Sequence, residues 1–449
     1  MIAGKSFATP FFTRLNVDKH LAVRGKVLSH AIGMAILIEI LLDRHWRFPV
    51  PFPLTRPTDL PIFLVALWLI LDRRGRIGTV RISVIDYLFL GFVALQAFSY
   101  VYADLFLIRF GGFRNYMDYS MLQLKPYLYF LVVREGLNRR GFEPKVVIYW
   151  LLGALSASAL LGLAQAMDAF GARRWSYTFY NQMLDERRML GPSAPWQAKG
   201  VTPHANNLAH TMWLGLAILA GFAWNRKLKP WELAIGALLL AALVATYSRS
   251  GVVTVTAMAG GLVLFLFVRK QYKLAALTLG VCTGLAMLGI SAVYAFNVER
   301  LKIIVEGEGA VSRHEELGSF KLRMHNAVKA VNTGFKSPIF GTSPVGSLIN
   351  NQNAVTYNNY AFEGRLDNTY SLAWVNYGLI GVAFMIGFIW TMLRTIGKSW
   401  SHSPFAISVF LIGVGYLVHF NTENLLFINT MMMPGILLAI VGPGKASKQ

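Results

Sequence analysis

Cysteine is almost missing from this chain, and acid is scarce. Cys282 is the one cysteine among 449 residues, which excludes an intramolecular disulfide and any thiolate metal cluster. Asp and Glu number 22 against 43 Lys and Arg, and charged residues of all kinds make up only 14%. An average soluble domain is roughly a quarter charged, so a charge density this low cannot cover a water-facing surface. The nine histidines show no metal-ligand spacing; His204 and His210, for example, fall on different faces of a helix. No Asp-x-Asp pair is present to hold a divalent ion on a sugar nucleotide, and no glycine loop cradles phosphate. The expectation is a protein that uses no metal, nucleotide or other cofactor.

What the chain does have is apolar sequence. Hydrophobic residues make up 55% of it, in runs long enough to cross a hydrocarbon core of about 30 Å as helices. The runs predict spans at 27–43, 58–72, 86–104, 119–134, 146–169, 206–224, 231–248, 250–268, 274–296, 370–393, 403–420 and 425–441. The weakest, 119–134, carries Lys125 and Pro126. The fold class is therefore all-α: a polytopic membrane helical bundle of about twelve spans. Two large loops, 170–205 and 297–369, interrupt it. Residues 1–26 are basic and amphipathic, and no small-residue cleavage site follows the first run, which reads as an uncleaved anchor.

The basic residues fall on one set of loops. Arg24 and Lys26, Arg73 to Arg81, Arg134 to Lys145, Arg226 to Lys229, Arg269 to Lys273, and Arg394 with Lys398 all lie between alternate spans. The positive-inside rule makes that side cytoplasmic, with both termini, and makes the two large loops extracytoplasmic. The formal charge of +21 is then a topology signal. Its position in short loops, rather than its sum, argues against nucleic acid as a partner; the expected partner is the lipid bilayer.

Charges at a membrane edge are costly and are functional candidates. Arg249, in the turn Tyr247–Ser248–Arg249–Ser250–Gly251, is the one charge between residues 233 and 268. It reads either as a ligand-binding cation or as an arginine snorkelling to headgroups. In segment 318–333 the residues Phe320, Met324, Ala327 and Val331 form an apolar stripe at helical spacing, and Lys321, His325, Lys329 and Asn332 a polar one. Arg323 belongs to neither and flanks the apolar stripe. Lys336 to Gly341 reads as the stop of that helix. Asp367, within Arg365–Leu366–Asp367–Asn368, reads as an N-cap of the next span or as a base. His204 and Asn207, before the sixth span, and Glu423, in a short outer turn, complete the set.

Taken in order, these features resemble the O-antigen ligase and O-antigen polymerase superfamily of bacterial envelope enzymes. The matching pieces are Gly200 to Asn207, Ser248–Arg249, the arginine-bearing segment from Arg323 to Ala330, Ser337–Pro338–Ile339–Phe340–Gly341, Asp367–Asn368 with Tyr370, and Asn376–Tyr377–Gly378–Leu379–Ile380–Gly381. The resemblance implies a division into N-terminal spans with the first large loop, 1–196, and a catalytic membrane region, 197–449, carrying loop 297–369. It also implies the bacterial inner membrane, a glycan donor on polyprenyl pyrophosphate, and an acceptor sugar hydroxyl on a glycan or second lipid. Arg249 and Arg323 would stabilise the leaving pyrophosphate by bidentate hydrogen bonds, and Asp367 would take the acceptor's proton. His204, Asn207, Ser248, Arg365, Asn368 and Glu423 would line the substrate. The ligase branch has His-Asn where this chain has Asp367–Asn368, which turns the expectation toward a polymerase. A ligase acting on lipid A-core is the alternative, and a solute transporter is the reading from another class.

Overall fold

The computed structural model describes residues 9–42, 57–72, 83–102, 113–179, 197–202, 204–280, 283–284, 287, 328, 330–335, 337–341, 369–399, 403, 405–420 and 428–441. Among them the regular structure is helical. In chain order the principal helices are α1 (Thr9–Leu42), α2 (Leu60–Asp72), α3 (Val84–Tyr102), α4 (Phe113–Leu137), α5 (Pro144–Met167) and α6 (Ala172–Phe179). After them come α7 (Ala205–Asn225), α8 (Pro230–Ala245), α9 (Arg249–Val268), α10 (Thr369–Ser399), α11 (Ala406–His419) and α12 (Ile428–Val441). Five stretches are long and apolar enough to cross a membrane by length and composition: Ala22–Leu42, Pro144–Met167, Ala205–Asn225, Ser250–Val268 and Thr369–Thr395. The expected span 274–296, with Cys282, lies mostly outside the described residues.

The outward faces of these helices are apolar. Ile70 is 67% exposed, Leu160 58%, Leu264 65% and Trp390 62%, while Trp213, Tyr129, Tyr416 and Phe130 are fully buried. A soluble bundle would place polar residues outward; outward leucine, isoleucine and tryptophan suit a solvent of lipid chains. This is an all-α membrane protein.

Local sequence sets the helix starts. Pro144 and Pro230 open α5 and α8, where a missing N–H leaves no bond unmade. Glu232, three residues after Lys229, accepts its backbone N–H at 2.8 Å and completes a capping arrangement. Ser248 caps α9 by accepting the Gly251 N–H at 3.2 Å.

The charged residues sort the ends of the helices. At one end Asp72 holds Arg24 at 3.2 Å and also Arg139. Beside them Asp86 accepts from Arg134 at 2.5 Å and from Tyr127 at 2.9 Å. Glu232 takes Arg226 at 2.5 Å and 2.7 Å. The basic connections between α4 and α5 and between α7 and α8 are thus at the same end as the middle of α1. The opposite end holds the start of α7, the turn between α8 and α9, and the start of α10.

α10 is not one continuous helix. Gly378 has φ +61 and ψ −156, and a β-carbon there would come within 2.7 Å of the Pro338 carbonyl oxygen. Segment 337–341 lies against the break: Leu379 donates to the Pro338 carbonyl at 2.8 Å, and Gly341 donates to that of Ser337 at 2.9 Å. From α3, Ser99 donates to the Asn376 carbonyl at 2.9 Å. Two motifs separated by some 40 residues in the sequence, Ser337–Gly341 and Asn376–Gly381, are therefore packing partners.

Lys125, the residue that weakened the fourth expected span, is 5% exposed. Its ammonium lies 2.7 Å from Glu39 Oε1 and pairs with Asp59 as well, joining α4 to α1 and to the start of α2. Removing one member of a buried ion pair costs about 3–5 kcal/mol because the other charge is stranded. Lys125→Met should therefore unfold at a clearly lower temperature than the parent in detergent. Adding Glu39→Gln and Asp59→Asn should recover much of the loss. An unchanged transition in Lys125→Met would show that the three groups do not act as an ion pair.

Candidate functional site

Six helix ends lie away from the basic loops, the ends of α5, α8 and α11 and the starts of α7, α9 and α10, and specific contacts tie them to one another. The segment entering α7 is clamped first. Gln165 of α5 accepts the backbone N–H groups of Lys199 at 3.0 Å and Gly200 at 2.8 Å, and donates to the Gly200 carbonyl at 3.0 Å. Gly200 has φ +57, and a β-carbon there would lie 2.6 Å from the Ser158 carbonyl, so only glycine fits this turn. Ala198 donates to the Ala245 carbonyl at 2.9 Å, tying the same segment to the end of α8. His204 then occupies the cap position of α7, where its side chain makes no capping hydrogen bond. Its carbonyl accepts the N–H of Asn207 at 3.1 Å and the hydroxyl of Thr202 at 2.9 Å.

The turn between α8 and α9 is equally fixed. Tyr247 takes φ +52, and Ser248 donates its N–H to Thr246 Oγ1 at 3.2 Å. The Ser248 and Ser250 hydroxyls are 2.9 Å apart. Ser248 is 4% exposed; its visible role is to cap α9 and set the direction in which Arg249 begins the helix. A β-carbon at Gly251 would meet Ala209 Cβ at 2.8 Å, so α9 starts directly against the first turns of α7.

The start of α10 is tied to the end of α11. Thr369, fully buried, donates its backbone N–H to the Phe420 carbonyl at 2.8 Å. One residue earlier in α11, His419 Nδ1 is 2.9 Å from Thr254 Oγ1 of α9. The three helices that begin beside the sequence motifs Gly200–Asn207, Ser248–Arg249 and Asp367–Asn368 thus converge. Arg323, Arg365, Asp367, Asn368 and Glu423 lie outside the described residues, as does the side chain of Arg249.

Sequence reading missed the side chains buried beneath this end. Lys199 is 4% exposed and His210 and His419 are fully buried. Nothing local distinguishes them: each is a single polar residue in or beside an apolar run, and its partners come from other helices.

No curated protein matches the chain. Residues 234–386, which run from the first turns of α8 past Ser248, Arg249, Arg323 and Asp367 into α10, match the family model described as O-antigen ligase, and over that third of its length the chain is similar to this family.

Proposed function

We propose that the protein transfers a glycan from polyprenyl pyrophosphate to a sugar hydroxyl at the extracytoplasmic face of the bacterial inner membrane, as a polymerase of the O-antigen type. One observation carries this reading: within the family match, the helix that Arg249 begins and the start of α10 are both bonded to the end of α11, at the end of the bundle remote from the basic loops. In the reaction the acceptor oxygen bonds to the anomeric carbon as the bond from that carbon to the pyrophosphate oxygen breaks. Arg249 and Arg323 take the charge that develops on the leaving group, each guanidinium presenting two parallel donors. Asp367 takes the proton from the acceptor hydroxyl. Asp367 is two residues before Thr369 in the sequence. His204, Asn207, Asn368, Arg365 and Glu423 then line the sugar chain.

The description of the matched family, O-antigen ligase, favours a second reading in which the same bond change joins a finished glycan to lipid A-core or another acceptor. A cell lacking the protein should accumulate carrier-linked single repeat units if it polymerises, and carrier-linked long chains if it ligates. The transporter reading would gain from an open helix break lining a path for solute. The break at Gly378 is filled instead, its freed N–H groups bound to the carbonyls of residues 338 and 339.

Sidedness is tested by labelling. On a Cys282→Ser background, cysteine at Trp175, which is 52% exposed, should react with a membrane-impermeant maleimide in intact spheroplasts. Cysteine at Lys227 should react only after permeabilisation, and the reverse order would overturn the orientation. The chemistry is tested at Asp367 and Arg249. Asparagine caps a helix about as well as aspartate but cannot take a proton. Asp367→Asn should therefore reach normal abundance while glycan extension falls on the order of 10²-fold or more. Arg249→Lys, which keeps the charge and loses the planar fork, should also assemble far less glycan at normal abundance. An Asp367→Asn protein that works normally would leave that residue a helix cap alone.

A further inference from the structure

Below the turn that carries Arg249, helices α7, α9 and α11 bury a cluster of polar side chains that the proposed reaction does not use. His419 lies outside the matched residues 234–386 and is fully buried. Its Nδ1 sits 2.9 Å from Thr254 Oγ1, and the Thr254 hydroxyl donates to the Ser250 carbonyl at 2.7 Å. A hydroxyl has one proton. With the threonine proton on Ser250, the ring that fits carries its proton on Nδ1 and donates toward the threonine oxygen, and the His419 ring is also hydrogen-bonded to the Ser250 backbone.

The ring is bedded on aromatic neighbours that fix its plane. Its centroid is 5.5 Å from that of His210 and 5.8 Å from that of Trp213, while Tyr416 stacks on Phe420 at 4.6 Å. A β-carbon at Gly415 would meet Trp213 Cζ3 at 2.8 Å and Thr254 Cγ2 at 3.2 Å, so the glycine admits α11 to this depth. From here the connections run two ways. Through Thr254, His419 reaches the first turn of α9, which Arg249 begins. The adjoining Phe420 carbonyl accepts the N–H of Thr369 at 2.8 Å, at the start of α10.

We propose that His419 is a positioning residue for the glycosyl-transfer site, where the hydrogen bonding of its imidazole to the first turns of α9 sets the separation between the turn bearing Arg249 and the helix start that follows Asp367. This rests on the function proposed above and adds to it a group that touches no substrate. The two helix ends come from spans more than 100 residues apart, and a misplacement of about 1 Å between reacting groups can cost on the order of 10²-fold in rate. A link that fixes this distance is therefore worth far more to turnover than to stability.

The test uses the full-length protein in a cell lacking its own copy, with glycan assembly and membrane abundance read together. His419→Phe keeps the ring and removes the donor; His419→Asn keeps an N–H near the place of Nδ1; Thr254→Val removes the shared hydroxyl at constant volume. His419→Phe and Thr254→Val should each lower glycan assembly by about 10- to 100-fold at near-parental abundance. His419→Asn should stay within a few-fold of the parent, and the double variant should be no worse than the poorer single. Near-normal assembly by His419→Phe, an Asn variant as poor as the Phe variant, or losses that multiply would each overturn the inference. A second measurement does not depend on the reaction. In purified protein carrying nitrogen-15 histidine, the resonances lost in His419→Asn should be those of a ring protonated at Nδ1, and Thr254→Val should shift them. A ring bare at Nδ1 would overturn the link whatever the protein catalyses. Absence of glycan transfer by the parent would instead overturn the proposed function.

Discussion

In a lipid solvent, a backbone group that leaves its helix has to find another partner inside the protein. The break in α10 at Gly378 meets that demand with the backbone of residues 338 and 339 and with the Ser99 hydroxyl. Leaving even one such group unpaired in an apolar setting costs several kcal/mol. The break therefore holds segment 337–341 in place and draws in α3 from the first third of the chain. Phe98 and Tyr102 of α3 add ring contacts to Phe340 at 5.0 Å and 5.7 Å. The distance from the break back to the start of α10 is then a rigid two and a half turns, so what fixes Gly378 also fixes where Thr369 emerges.

Charge follows the same logic at the other end. Arg24, Arg134, Arg139 and Arg226 each face a carboxylate of a neighbouring helix. Two of these pairs, Arg134–Asp86 and Arg226–Glu232, differ from exposed surface pairs, whose median worth is near zero, because Asp86 and Glu232 are 2% and 0% exposed. A buried carboxylate without its arginine would be stranded, so the pairs fix which helix ends lie together. At the basic end these arginines close helix against helix, while at the opposite end Arg173 caps α5 and Arg249 begins α9.

Five of the expected spans were legible as long apolar helices, because an apolar run announces itself by its length. The turn at Ser248 and the stop at Gly341 were legible from local residue chemistry: a serine before a helix start, and Pro and Gly after a helix end. The break at Gly378 was not, since a lone glycine in an apolar run usually leaves a helix intact; only the approach of Pro338 shows why a side chain is excluded. Lys125 was legible as an anomaly but not as a junction, because Glu39 and Asp59 are 86 and 66 residues away. His419 left no trace at all. Its meaning lies in Thr254, 165 residues earlier, and no period or motif in either helix encodes that meeting. Sequence reading thus recovers what one helix does alone and loses what two helices do together.

The convergence of helix ends has an electrostatic consequence that bears on what this end of the bundle can hold. Helices α7, α9 and α10 start here and present their positive poles, while α5, α8 and α11 finish here and present negative ones. The two sets would cancel if both were open. The negative poles are closed by the protein: Arg173 donates to the carbonyls of Gln165 at 2.7 Å and Ala166 at 2.9 Å. The Ala198 N–H covers Ala245, and the Thr369 N–H covers Phe420. At the start of α7, by contrast, His204 gives the helix no side-chain acceptor. Ser248 satisfies one N–H of α9 while leaving a cationic residue, Arg249, in its first turn. The starts of α7 and α9 therefore contribute positive potential at this end from the backbone itself. Under the proposed function, a pyrophosphate at this end would meet the N-terminal poles of α7 and α9, an orientation that favours a developing anion.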